Sequence, residues 1–173
     1  MSELFKIVKI DGKGLGAIAV KDIPARGTLI LREKPQLIIQ RESYKMTFLQ
    51  LASYNTGIIK CFGQMSENNQ KEFLDLFNER QEFDDRNLKI LDIFNKNKFR
   101  NAFREPNTEI VCLKTSRFNH SCRSNAYWDI DWDKKDLEME IKALEFIKAG
   151  QEITISYTST YSRKDLTPSF FIR

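Results

Sequence analysis

Two runs of alternating apolar and polar residues in the last third of the chain constrain its fold more than any other feature. Ala126, Trp128, Ile130 and Trp132 alternate with Asn125, Tyr127, Asp129 and Asp131. Beyond a polar tetrapeptide, Leu137, Met139, Ile141 and Ala143 alternate with Glu138, Glu140 and Lys142. Successive side chains of a strand point to opposite faces, so the pattern predicts an antiparallel hairpin with one buried face. Trp128 and Trp132 are expected in its core.

The N-terminal stretch reads the same way in shorter pieces. Leu4 to Ile10 is rich in β-branched and aromatic residues, Asp11 to Gly16 is a glycine-dense turn, and Ala17 to Val20 is a small apolar run. Asp22 to Gly27 is a second turn, and Thr28 to Leu31 and Leu37 to Ile39 follow as short strands. From about Tyr44 to Phe103 the apolar residues take helical spacing: Phe48, Leu49, Leu51 and Ala52; Phe73, Leu74 and Phe77; Leu88, Leu91 and Phe94. Ser66 is placed to cap a helix, with Glu67 in the first turn where the dipole favours an acid. Strands resume afterwards, so this stretch is an insertion and not a second domain. Ala19 to Ile30 also echoes Ala143 to Ile153, each reading strand, glycine turn, strand. Shared turn chemistry accounts for the echo without duplication.

Composition narrows the function. At about 150 residues per domain, the 173 residues make one domain, long enough to bury a core without disulfides or metals. The 13 phenylalanines argue for a folded globule. No run approaches the roughly 20 apolar residues of a membrane span, and MSELFKIVKI has no secretory character. A net charge of +4 is mild for a nucleic-acid protein. Lys96, Lys98, Arg100 and Arg104, interleaved with Phe99 and Phe103, read as a helix with a basic outer face and an aromatic inner one, so direct nucleic-acid binding is disfavoured. Cys61, Cys112 and Cys122 form no C-x-x-C pair, which indicates neither a disulfide framework nor a self-contained zinc site. With His120 as the single histidine, HExxH metalloproteases are excluded, and neither a nucleophile elbow nor a phosphate loop is present.

The remaining chemistry sits in three places. Gly12, Gly14 and Gly16 are followed by a strand-like run and not by a helix, which disfavours a dinucleotide fold. They fit either a tight hairpin turn or a backbone that comes close to a ligand. Asn119 and His120 stand beside Phe118 in a segment expected to be buried, where both must find partners. Tyr157 ends the Ile153, Ile155, Tyr157 face of a strand, either as a core residue with its hydroxyl tied off or as a working group.

Taken in order, GKGLG (12–16), DIPARG (22–27), NAF (101–103), SRFNHSC (116–122) and AGQEITISY (149–157) resemble the SET domain of protein lysine methyltransferases. The likeness is greatest to SMYD-type and related fungal SET proteins, which split the domain with a helical insert. It spans nearly the whole chain, and NHSC followed by GQEITISY is its most specific part. The resemblance implies an α+β, mainly β fold: a β-clip of short twisted strands with a helical insertion and a threaded C-terminal segment. It implies one SET domain over 1–173, with an N-terminal β part at 1–40, the insert at 44–103, the C-terminal SET part at 109–160 and a shortened tail at 161–173.

The function so implied is transfer of a methyl group from S-adenosyl-L-methionine to a lysine of a histone or other protein, releasing S-adenosyl-L-homocysteine. Lys13, Gly14, Leu15 and Gly16 would lie along the cofactor's methionine and ribose, Asn119 and His120 would meet its adenine and amino-acid ends, and Asn101 would add a contact. Tyr157 would lie beside the transferred methyl as the catalytic residue, and Tyr161 would line the lysine channel. A phenol with a reference pKa of about 10 is a poor base at neutral pH, so Tyr157 is expected to orient the amine. Positioning of this kind supplies much of the rate of such a transfer.

The chain departs from the family in three ways. No cysteine follows Cys122, so the zinc-binding tail of many relatives has no counterpart and Cys122 reads as a lone remnant of that site. No cysteine and histidine cluster precedes Cys61, so the MYND finger is missing, and Ser124 stands where NHSCxPN has proline. The expected partner is a lysine-bearing protein or peptide, with no membrane association and an intracellular location, cytoplasmic or nuclear. The alternative is a catalytically inactive SET-like module that binds the cofactor or a protein partner.

Overall fold

The computed structural model describes residues 4–24, 26–41, 45–78, 83–100 and 107–157. Among the described residues, short strands form three three-stranded sheets, with three α-helices between the fourth and fifth strands, the expected α+β and mainly β architecture. Two compact units are distinguished, one within 1–32, 117–131 and 139–173, the other within 33–116 and 132–138.

The first unit opens with β1 (Phe5–Ile10) and β2 (Gly14–Ala19), antiparallel from Phe5↔Ala19 to Ile10↔Gly14. The glycine-dense turn is shorter than expected. Only Asp11 to Lys13 turn, closed by the Lys13 amide on the Ile10 carbonyl at 3.1 Å, and Gly14 and Gly16 already belong to the strand. Ladder pairing with β1 prevails over the turn preference of glycine, and β2 also pairs with β9 (Glu152–Ile153). A second sheet has the order β3 (Leu29–Glu33), β8 (Met139–Ala143), β7 (Ala126–Ile130).

The predicted hairpin is present as β7 and β8, in register from Ala126↔Ala143 to Ile130↔Met139, with Ala126, Ile130, Met139, Ile141 and Ala143 buried. Both tryptophans depart from expectation. Trp132 lies beyond the end of β7. Trp128 is half-buried, and its indole Nε1 donates to the Ser156 carbonyl at 3.1 Å, because an indole N–H drawn toward the interior needs an acceptor.

The two echoing segments pair with each other. Ile23 and Ile147 exchange N–H···O bonds of 2.8 and 3.1 Å. On either side the bonds come in matched pairs: Gly27 N–H to Ala143 O with Gly150 N–H to Ala19 O, and Ala19 N–H to Gln151 O with Ala143 N–H to Thr28 O. Gly27 and Gly150 both have positive φ, +87° and +84°. The strand before each turn thus pairs with the strand after the other, β2 with β9 and β8 with β3. The sequence echo is a local two-fold relation in the backbone.

The second unit has β4 (Leu37–Arg41), β6 (Asn107–Val111) and β5 (Phe99–Arg100) in that order, with helices α1 (Phe48–Gly63), α2 (Glu67–Leu74) and α3 (Arg86–Asn97). Thr47 and Gln50 cap α1 reciprocally, and Ser66 caps α2 through the Asn69 amide. Its core joins Leu37, Ile58, Phe62, Phe73, Ile90, Ile93, Phe94 and Val111. The helical spacing is met in part: Phe73 and Phe94 are buried and Leu74 and Leu91 pack against the same core, but α1 turns a different face inward. Tyr54, Ile58 and Phe62, spaced four apart, carry α1 inward, while Phe48, Leu49 and Leu51 are exposed. On α3, Ile90, Ile93, Phe94 and Asn97 are buried and Leu88 is exposed.

The basic stretch also differs from its reading. The helix stops at Asn97 and Phe99 enters a strand, so no single basic face runs through it. Lys98 turns inward, 3.1 Å from the Glu109 carboxylate and over the Phe94 ring at 5.3 Å. Glu109 is only 1 % exposed and also accepts from the Tyr54 hydroxyl, with Arg41 at 3.9 Å. A buried carboxylate requires such partners. Burial pushes the Tyr54 phenol up, and Glu109 adds to the rise. Burial lowers Lys98 despite its bond to Glu109.

Candidate active site

Tyr157 does not end a strand as expected: β9 stops at Ile153, and the extended segment that leads on to Tyr157 is fixed on two sides. On one, the Ile155 amide donates to Asn119 O at 3.0 Å and the Ser121 amide to Ile155 O at 3.1 Å, a parallel bridge between Ile155 and His120. On the other, buried Asn125 gives its Nδ2 to the Glu152 carbonyl at 2.8 Å and accepts the Thr154 amide on Oδ1 at 2.9 Å. Backbone groups removed from water have to be paired, and here the pairing fastens the Asn119–Ser121 segment to the Glu152–Tyr157 segment.

His120 and Tyr157 meet at this crossing. The Tyr157 backbone amide donates to His120 Nδ1 at 3.1 Å, and the rings lie 5.2 Å apart. An Nδ1 that accepts leaves the ring proton on Nε2, which faces the exposed Cys122 sulfur at 3.4 Å. The Tyr157 hydroxyl donates to the Phe118 carbonyl at 2.8 Å. With its own proton so engaged, the phenol oxygen has only lone pairs left to offer. Burial of the hydroxyl end raises the phenol above its ordinary value, and the Glu152 charge acts in the same direction. The residue as a whole remains 55 % exposed.

Asn119 is linked to the glycine turn. Its Nδ2 donates to Glu152 Oε1 at 2.9 Å, while Lys13 Nζ pairs with Oε2 of the same carboxylate at 2.8 Å. Burial would raise the Glu152 carboxyl, but the hydrogen bonds from Lys13 and Asn119, with the Lys13 charge, hold it below the usual carboxylate value.

The glycines do different work from one another. A Cβ on Gly16 would lie 2.3 Å from Ile10 Cδ1 and 2.6 Å from Asn119 Nδ2, so the close approach there is made by the protein's own side chains. Gly14, at φ +77°, has nothing within 4 Å of its missing Cβ and leaves open space beside Lys13. Leu15 between them is exposed.

The family model for the SET domain matches residues 14–158, a range that holds Asn119, His120, Glu152 and Tyr157. The chain belongs to the SET-domain family. A SET domain-containing protein of Acanthamoeba polyphaga mimivirus is 26% identical over 191 residues, spanning 94% of this chain and 68% of that one. A solved structure of a Plasmodium falciparum protein described as a histone methyltransferase aligns over 93% of this chain and 98% of its own, at 15% identity and a TM-score of 0.47. At that identity and score it adds nothing to the assignment.

In this SET domain the crossing joins Lys13, Asn119, His120 and Tyr157, with Glu152 as the link between Lys13 and Asn119. Asn101 and Tyr161 lie outside the described residues, as do Phe103, Arg104 and the tail. Sequence reasoning missed two members, Glu152 and Asn125. The available signal was polarity: a carboxylate heading the strand run Ile153 to Ile155, and an asparagine directly before the hairpin. Among the described residues, no cluster of three or more histidine, cysteine or acidic side chains is arranged to hold a metal, and no helix is long and apolar enough to cross a membrane. The three cysteines are free. Burial, with the Glu33 charge, pushes the Cys112 thiol up, away from reactivity.

Proposed function

We propose that this SET domain is an S-adenosylmethionine-dependent protein-lysine N-methyltransferase of SMYD-like layout, acting inside the cell on a lysine-bearing protein or peptide. The reading rests chiefly on one observation: Tyr157, by its hydroxyl on Phe118 O and its amide on His120 Nδ1, is held against the Asn119–His120 segment. The residues present suit the cofactor. Open space over Gly14, the half-exposed Lys13 ammonium and the side-chain Oδ1 of Asn119 offer complementary groups to a ligand with an amino-acid end. When bound, S-adenosylmethionine supplies a methyl group on a sulfonium, open to attack by a neutral amine.

The chain's own part is to bind, orient and leave the proton a way out. Lys13 to Gly16, Asn119 and His120 would hold the cofactor, with Asn101 as a further contact and Tyr161 along the lysine channel. The Tyr157 oxygen, its proton engaged by Phe118 O, accepts an N–H of the incoming lysine and aims its lone pair. A phenol raised by burial does not take up the proton as a base, so that proton leaves through water.

Titration with S-adenosylhomocysteine, followed by methyl transfer to a lysine-containing peptide pool, tests this reading. The intact chain should bind saturably and transfer, and Asn119→Ala should abolish binding. Tyr157→Phe should bind normally and lose turnover by about 100-fold or more, the scale of removing one transition-state partner. Absence of binding by the intact chain would reject the enzyme reading in favour of an inactive SET-like module.

A further inference from the structure

Glu152 has no role in the reading so far, although it touches two of the proposed cofactor residues. A carboxylate only accepts hydrogen bonds, so the side of the Asn119 amide that faces Glu152 Oε1 at 2.9 Å must be the NH2. The carbonyl Oδ1 is thereby turned the other way, and no described residue donates to it. Two features keep the arrangement from relaxing. Lys13 holds the second carboxylate oxygen at 2.8 Å. Gly16 leaves the gap that the pair occupies, since a Cβ there would meet Asn119 Nδ2 at 2.6 Å and Glu152 Oε1 at 3.2 Å.

We propose that Glu152 is the positioning residue of the cofactor site, fixing the Asn119 amide so that it offers an acceptor, and so selecting a ligand that donates there. An unconstrained amide presents either end at little cost. Fixed in this way, it is preorganised for a ligand ammonium or amine and unfavourable to an acceptor in that place. The proposal rests on the cofactor reading above and adds the residue that sets the polarity of the site.

The experiment has one arm that needs no ligand and one that does. In the free protein, the Asn119 side-chain NH2 pair, identified in nitrogen–proton spectra by its loss in Asn119→Asp, should show one slowly exchanging, shifted proton. Glu152→Gln, whose carbonyl still accepts, should keep that signature, and Glu152→Leu should collapse it to that of an exposed amide. In the ligand arm, Glu152→Leu should weaken S-adenosylhomocysteine binding by about tenfold, the worth of one well-placed hydrogen bond, while Glu152→Gln stays within about threefold.

An unchanged NH2 signature in Glu152→Leu, or unchanged affinity despite a collapsed one, overturns the proposal alone. Failure of the wild-type chain to bind removes the cofactor reading and this inference with it. If Glu152→Leu does not fold, the other two proteins decide. A freely exchanging wild-type amide, or a tenfold loss in Glu152→Gln, overturns the proposal, because charge and not orientation would then be the operative property.

Discussion

Glu109 and Glu152 are near-opposites built from the same parts. Each is a carboxylate on a strand that accepts from a lysine and from one neutral donor: Lys98 and the Tyr54 hydroxyl for Glu109, Lys13 and the Asn119 amide for Glu152. Glu109 is sealed, with 1% of its side chain exposed, and Glu152 keeps 19%. Their lysines differ more, Lys98 at 17% and Lys13 at 50%. A sealed network spends all its polar capacity inside the protein and serves stability alone. The open one retains a half-exposed ammonium and an amide oxygen with no described donor, groups that a ligand can use.

The sharpest way to break this comparison is to remove the sealed carboxylate. Glu109→Ala leaves Lys98, Arg41 and the Tyr54 hydroxyl without their shared acceptor, and losing one side of a buried ion pair costs about 3–5 kcal/mol. Denaturant unfolding should show that loss. A cost below about 1 kcal/mol would mean that Glu109 is not sealed, and the contrast with Glu152 would fail.

A smaller effect is expected from filling the gap beneath the open pair. Gly16→Ala puts a methyl against Ile10 Cδ1 and Asn119 Nδ2, and these ends must give way to admit it. Overpacking of this kind costs about 1–3 kcal/mol. Because Asn119 is one of the displaced groups, S-adenosylhomocysteine affinity should fall along with stability. If stability drops while affinity holds, Asn119 does not depend on its seat over Gly16.

The sequence disclosed these two networks unequally, for a physical reason. Alternation over Ala126 to Ala143 gave the hairpin because the period of a strand is local, and Ser66 was readable as a cap because its partner is three residues away. The echo of Ala19 to Ile30 in Ala143 to Ile153 was visible, but its meaning lies in the reciprocal bonds of Ile23 and Ile147, which no local pattern encodes. Helix faces were misassigned where apolar residues are abundant: Phe48, Leu49 and Leu88 fit a helical stripe as well as Ile58 or Ile93 do, and only the packing partner decides. Motif residues such as Asn119 and Tyr157 stood out by resemblance. Their supports did not, because Glu152 acts across 33 residues of chain on Asn119 and 139 on Lys13.

The finest distinction concerns how the open network responds to acid. Glu152 lies below the usual carboxylate value in the folded chain, so its ionised form favours folding. That contribution is fully present above the unfolded carboxyl value of about 4.3 and is lost as pH falls through the lower folded value. Lys13→Met removes one cause of the lowering and leaves the Asn119 bond in place. Near neutral pH the variant should be less stable by only about 0.2–1 kcal/mol, since Lys13 is half-exposed and screened by solvent. Denaturant midpoints measured down to strongly acidic pH should show the two proteins converging, because protonated Glu152 no longer distinguishes lysine from methionine. A difference that persists undiminished below the folded value would mean that Lys13 stabilises the turn through packing and not through charge, and the parallel with Lys98 would then have to be redrawn.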